Sequence, residues 1–176
     1  MASKAYEGNY TAWLLETAPT DWEGESEGDR TVTATELDAG TRLERLVSDG
    51  AIALTFTTNT ASQAKLDAGK VGHNIGTREI TGVSVTHERD LPDEDGSDDM
   101  WALYAYGDKR YLVIDPSRDP ESTDFHPLDT GILHVFEIET GETELQATAR
   151  DTKQNFMVTF AVQEWDLNVT FDDEVA

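Results

Sequence analysis

The chain contains no cysteine, which excludes disulfide bonds and thiolate metal sites. Positive charge is scarce: 13 Lys and Arg stand against 36 Asp and Glu, a formal net charge of -23. Such a surface repels nucleic-acid phosphates and anionic membranes. Long apolar runs are missing as well. Near the N-terminus nothing exceeds Ala12-Trp13-Leu14-Leu15, so neither a signal peptide nor a membrane span is expected, and no membrane partner. Helix signals are few.

What is present is a chain of 176 residues, the size of one ordinary domain, with a hydrophobic fraction of 38%. The low mean hydropathy therefore reflects an acidic surface and not a missing core. Acid clusters at 21–29, 93–99, 119–129 and 172–174. At 1 M salt the Debye length is about 3 Å, so like charges scarcely repel, and the composition suits very salty surroundings.

Strand patterns dominate. Ile52, Leu54 and Phe56 alternate with Ala and Thr, and Phe156, Val158, Phe160 and Val162 alternate with Met157, Thr159, Ala161 and Gln163. Further strands are expected over 10–15, 82–87, 110–114 and 131–139, the last passing through a Thr140-Gly141 hairpin turn into 143–149. Thr33 and Glu36 have the spacing of a capping box, with Gly40 stopping that helix after about one turn. A longer helix is expected over 98–106. Ser97, Asp98 and Asp99 would cap it, Met100, Leu103 and Tyr104 would pack, and Gly107 would end it. The expected class is mainly β: an antiparallel sandwich or barrel-like protomer with one flanking helix.

No residue pattern carries catalysis, cofactor binding or a dedicated metal site. Aligning Gly96 with the glycine of a calcium-binding loop puts Asp93 and Asp95 on ligand positions, but Leu91 and Ala102 fall at its ends. Loosely held cations around 93–99 are the most that loop suggests. His73, His87, His126 and His134 lack the spacing of a helical zinc pair. The glycines of 69–76 form neither a phosphate loop nor a dinucleotide turn and read as loop-shaping. Trp13, Trp22, Trp101 and Trp165 sit in different elements, a pattern of packing more than of a carbohydrate platform. The chain is not expected to be an enzyme, and no cofactor is expected.

Three stretches together resemble the major tail proteins, or tail tube proteins, of long-tailed (siphovirus-like) phages and related haloarchaeal tailed viruses. They are Thr35 to Leu43 with Ser48 to Ala61, Gly76 to Asp90 leading into Trp101 to Ile114, and Thr148 to Val162. The resemblance implies a tube-like β protomer that closes into hexameric rings. These would stack into a virion tail, assembled in the host cytoplasm, that conducts DNA without binding it specifically. Expected partners are further copies of the chain, a tape-measure protein, and the tail terminator and distal tail proteins. On this reading 1–9 is an N-terminal arm, 10–163 the tube domain and 164–176 a C-terminal arm. Val169 and Phe171 have the alternation to add to a neighbour as a strand, the alternative being a frayed tail, and the loops 23–29 and 116–128 are candidates to order on contact with the next ring. The extreme acidity departs from common bacterial-phage members and fits a halophilic host. Two other readings stay open: a tail terminator or distal tail ring, and a non-viral β-sandwich binding module.

Overall fold

A computed structural model describes residues 2–5, 10–23, 30–43, 46, 51–64, 71–89, 99–116, 131–146 and 154–172. Among these, nine strands and two short helices are present: β1 Ala2–Ala5, β2 Thr11–Leu15, β3 Thr31–Thr33, α1 Ala34–Ala39, β4 Thr41–Arg42, β5 Ile52–Ala64, β6 Val71–Glu88, α2 Asp99–Ala102, β7 Lys109–Asp115, β8 Ile132–Gln146 and β9 Asn155–Asp172. All strands belong to one sheet of order β1-β5-β6-β9-β8-β7-β2-β4, and β3 adds to β9 off that path. Every pairing is antiparallel except β3 with β9.

The sheet is open but curled. Laid flat, β1 and β2 would be six strand spacings apart, about 29 Å. The chain from Ala5 to Thr11 can span at most about 22 Å, so the two ends of the path must approach each other. Side chains confirm it: Ala12 and Leu14 of β2 share one core with Ile52 and Leu54 of β5, beneath Leu112, Phe136, Phe156 and Phe160. Leu46, beyond β4, then bridges to His87 of β6 and helps close the seam. This is the barrel-like form of the expected class.

A second core lies on the opposite sheet face. Trp13, Val113, Leu133, Val135, Val169 and Phe171 are covered there by Trp22 and by Ala34 and Leu37 of α1. The capping box anchors this cover as expected: Glu36 N–H donates to Thr33 Oγ1 at 3.3 Å and Thr33 N–H to Glu36 Oε2 at 2.8 Å. Glu36 Oε1 also accepts from Thr20 N–H at 2.5 Å and from its hydroxyl at 2.6 Å, which ties the chain before β3 to the helix.

Four expectations are corrected. Thr140-Gly141 is not a hairpin turn but a bulge inside the continuous strand β8, where the register with β9 shifts between Thr140 and Thr143. Glycine serves close approach there, since a Cβ on Gly141 would lie 2.7 Å from the Thr159 carbonyl oxygen. Gly141→Ala is accordingly expected to destabilise the protein by about 1–3 kcal/mol in urea unfolding, as overpacking against backbone does.

The helix expected over 98–106 ends at Ala102. The following turn is bound to β8 instead, Gly107 N–H donating to Thr140 O and Thr140 N–H to Asp108 O, both at 2.8 Å. Gly107 takes a positive φ of 83° in that turn. Gly72 and Gly76, read as loop-shaping, lie in strand β6. Finally, residues 164–172 are no free arm: they continue β9, and Val169 and Phe171 are buried in their own protomer. Two bulges in β9 reverse the alternation twice: after the first, Trp165 and Leu167 face the main core, and after the second, Val169 and Phe171 face the other one. Ala2–Ala5 likewise pairs with Ala53–Phe56 of the same chain.

Candidate assembly surfaces

Two features of the sheet offer surfaces to other molecules. The first is a ribbon. β1 pairs only with β5 residues 53–56, and β9 pairs only with β6 residues 82–88. Residues 57–64 of β5 and 71–79 of β6 therefore pair with each other alone among the described residues. Eight residues of strand reach about 26 Å. A two-stranded ribbon is at best marginally stable in water, so one that extends from a sheet calls for a further contact.

The second feature is a contrast between two parts of the outer sheet face. Where β2, β7 and β8 meet the end of β9, α1 and Trp22 cover the strands. The strip formed by β5, β6 and the first half of β9 has no such cover among the described residues, and Thr57, Thr81, Thr159 and Ala161 are exposed on it.

At the boundary of the covered part sits a charged and aromatic cluster. Arg30 is buried, ion-paired with Glu164 and stacked over Trp22 with its guanidinium carbon 4.1 Å from the ring centroid. Trp22 meets Tyr111 edge-on at 5.7 Å. Glu137 stands directly across from both Tyr111 and Glu164 in the sheet. Burial pushes the Tyr111 phenol above its ordinary range, and the carboxylates of Glu137, Glu23 and Glu164 push it further.

A second titratable group lies in the main core, where His87 Nε2 and the Tyr104 hydroxyl are hydrogen-bonded at 2.7 Å. Burial holds the Tyr104 phenol far above its usual value of 10.0, partly offset by Arg110. Both phenols thus have folded pKa values above the unfolded value. Their stabilising contribution is complete below pH 10 and is lost as pH rises above it. Melting temperature is expected to fall steeply in alkaline buffer. Tyr104→Phe should lower it by about 1 kcal/mol equivalent at neutral pH through the lost hydrogen bond, and make the alkaline fall shallower.

The histidines expected to be packed or on the surface are divided: His87 is buried, His134 is half-buried, and His126 lies outside the described residues. His73 lies in β6. All four tryptophans pack, Trp13 and Trp22 in the second core and Trp101 and Trp165 against the first. The acidic stretch 91–98, the loop 24–29 and most of 116–128 lie outside the described residues, so the cation and capping expectations for Asp93, Asp95 and Asp98 rest on sequence. Sequence reasoning missed the ribbon. Its signal was present in the Thr-rich run 55–60 and in the β-formers Val71 and Ile75, but the intervening glycines masked the alternation.

Comparison with known proteins gives the class of molecule to which these surfaces belong. A family model described as phage tail tube protein matches residues 5–170, nearly the whole chain, and the chain belongs to that family. It is a structural component of a viral tail. No curated protein shows a match to it. Among solved structures, a chain of the anti-feeding prophage baseplate, from a cryo-EM structure symmetrised six-fold, is similar at 6% identity and a TM-score of 0.49, over 94% of this chain and 95% of that one. A type six secretion system protein is similar at 13% identity and a TM-score of 0.39, over 89% and 81%.

Proposed function

We propose that the chain is the repeating subunit of the tail tube of a siphovirus-like virus with a halophilic, haloarchaeal host. Six copies close into a ring, rings stack around a tape-measure protein between a terminator and a distal tail protein, and the finished tube conducts DNA into the host. The observation that carries this reading is the two-stranded ribbon of β5 and β6, in a member of the tail tube family. Rings that stack without closing need an element that leaves one subunit and orders on the next. A ribbon of about 26 Å has the reach to do so. Lateral joining of protomers along sheet edges would satisfy strand backbone left exposed there. In this role the acidic surface keeps long polymers soluble in concentrated salt and repels the DNA that passes.

The test is negative-stain microscopy of purified protein in multimolar salt, with light scattering for mass. Tubes of uniform width are expected. Removing equal lengths from both strands of the ribbon should leave rings that no longer stack. Single rings from the unaltered chain at every concentration would identify a terminator or distal ring instead. A strict monomer, even with added tape measure, would favour the binding module.

A further inference from the structure

Strand β8 outlasts its neighbour on one side. β7 begins at Lys109, opposite Glu139, and the turn before it bonds only as far as Thr140. Beyond the bulge, Thr143, Glu144, Leu145 and Gln146 pair with Val158, Met157, Phe156 and Asn155 of β9, and with no strand on their other side among the described residues. Every second residue of a strand paired on one side turns its N–H and C=O outward, so this stretch is an open sheet edge about 13 Å long. A large exposed side chain stands at each end of it: Tyr106, 80% exposed in the turn that holds Thr140, and Leu145, 50% exposed. Glu142 and Glu144 are exposed here too, and they oppose the addition of an acidic strand while admitting an uncharged one.

The ribbon supplies such a strand. In a chain with 36 Asp and Glu, residues 57–64 and 71–78 contain none, and 57–64 carry no charge at all. Past Phe56, where β1 stops, β5 has an unpaired outer edge among the described residues. That stretch also lacks glycine, whereas Gly72 and Gly76 weaken β6 as a pairing edge. The two open edges lie at opposite ends of the sheet: Glu88, Asn155 and Gln146 align at one end of β6, β9 and β8, and the ribbon runs out past the other. β5 and β8 point in opposite directions, because β6 and β9 lie between them and each step is antiparallel. In copies stacked head to tail, residues 57–64 of one therefore meet 143–146 of the next in the antiparallel sense.

We propose that the open edge of β8 is the docking site for the ribbon of a second copy, joined by strand addition between residues 57–64 of one subunit and 143–146 of the next. The inference rests on the tube reading and names the surface that receives its ribbon. Backbone hydrogen bonds supply the attachment, and Tyr106 and Leu145 lose exposed apolar surface against the added strand. Glu142 and Glu144 keep the acidic segments of the chain off the same edge.

Amide hydrogen exchange of the unaltered protein reads the edge directly. The outward amides of 143–146 should exchange quickly in protomers and in the unstacked rings of the ribbon-shortened variant, and slow by about tenfold or more in tubes. Equal exchange in tubes and protomers, or protection already present in unstacked rings, overturns the proposal. Because the chain has no cysteine, paired thiols give a second readout. Ser62→Cys combined with Glu144→Cys, treated in tubes with a short bis-maleimide, should yield a ladder of linked chains on a denaturing gel. Ser62→Cys combined with Ala39→Cys, on the exposed side of α1, should not. A ladder from the α1 pair alone places the ribbon elsewhere and also overturns the proposal. Failure of the unaltered chain to form tubes would remove the tube reading itself, a separate result visible before either measurement.

Discussion

Truncating Phe156 to Ala is expected to lower stability by about 3–5 kcal/mol, the usual cost of deleting a large buried ring. Phe156 is fully buried at the start of β9. It stacks on His87 at 5.1 Å and 20°, and meets Trp101 edge-on at 5.1 Å and Tyr104 at 6.4 Å. Its loss would empty the place where β6, β9 and the α2 turn converge. Since a domain of this size holds together by about 5–15 kcal/mol, the variant should be substantially unfolded near physiological temperature and should not assemble. Urea unfolding gives the number, and Thr159→Ala, on the exposed side of the same strand, should stay within about 0.5 kcal/mol of the parent. A small loss at Phe156 would mean that the ring is not a central packing element.

The second large effect is expected at Arg30 and depends on salt. Arg30→Met keeps the apolar stem but removes the guanidinium that lies over Trp22 and pairs with Glu164. Glu164 and Glu137, direct neighbours across β9 and β8, would then face each other without a cation. Like charges directly opposite in a sheet are destabilising, and a hydrogen bond to a charged group is worth about 1.5–3 kcal/mol. Glu164 is half exposed, which moderates the loss, so about 2 kcal/mol is expected in dilute buffer. In molar salt the Debye length is about 3 Å, so the part of the penalty due to Glu137–Glu164 repulsion should vanish, while the part due to the lost contacts of the buried guanidinium should remain. Glu137→Gln in the same background should recover part of it without salt. Thermal melts of the three proteins at low and multimolar salt decide the matter. A penalty independent of salt would assign the role of Arg30 to packing alone.

Parts of this architecture are readable from local chemistry. The alternation of Phe156, Val158 and Phe160 points to the strand and to its buried face, and Thr33 with Glu36 gives a helix start that the structure reproduces. Such signals are legible because the residues answer to their immediate neighbours. The misread segments answer to distant ones. Whether Thr140-Gly141 turns or bulges depends on Thr159, and the helix near Trp101 stops early because Thr140 supplies partners for the turn after it. Val169 and Phe171 carry an apolar alternation that could serve any sheet; only the layer made by Trp22 and α1 makes it internal. The candidate surfaces were the least legible. A ribbon is defined by where its neighbours end, and an uncovered sheet face by which strands lack a covering layer, and both follow from topology.

The position of β9 has a consequence for biosynthesis. It is the last of the nine strands to be made, yet it lies mid-sheet, between β6 and β8 along its first half and between β8 and β3 along its second. Neither core can be completed until it emerges from the ribosome. The growing chain can form the β5–β6 and β7–β8 hairpins, but it cannot yet join them into one sheet. Such late, non-local pairing slows folding. It also leaves the early hairpins without their shared central strand until synthesis has passed residue 172.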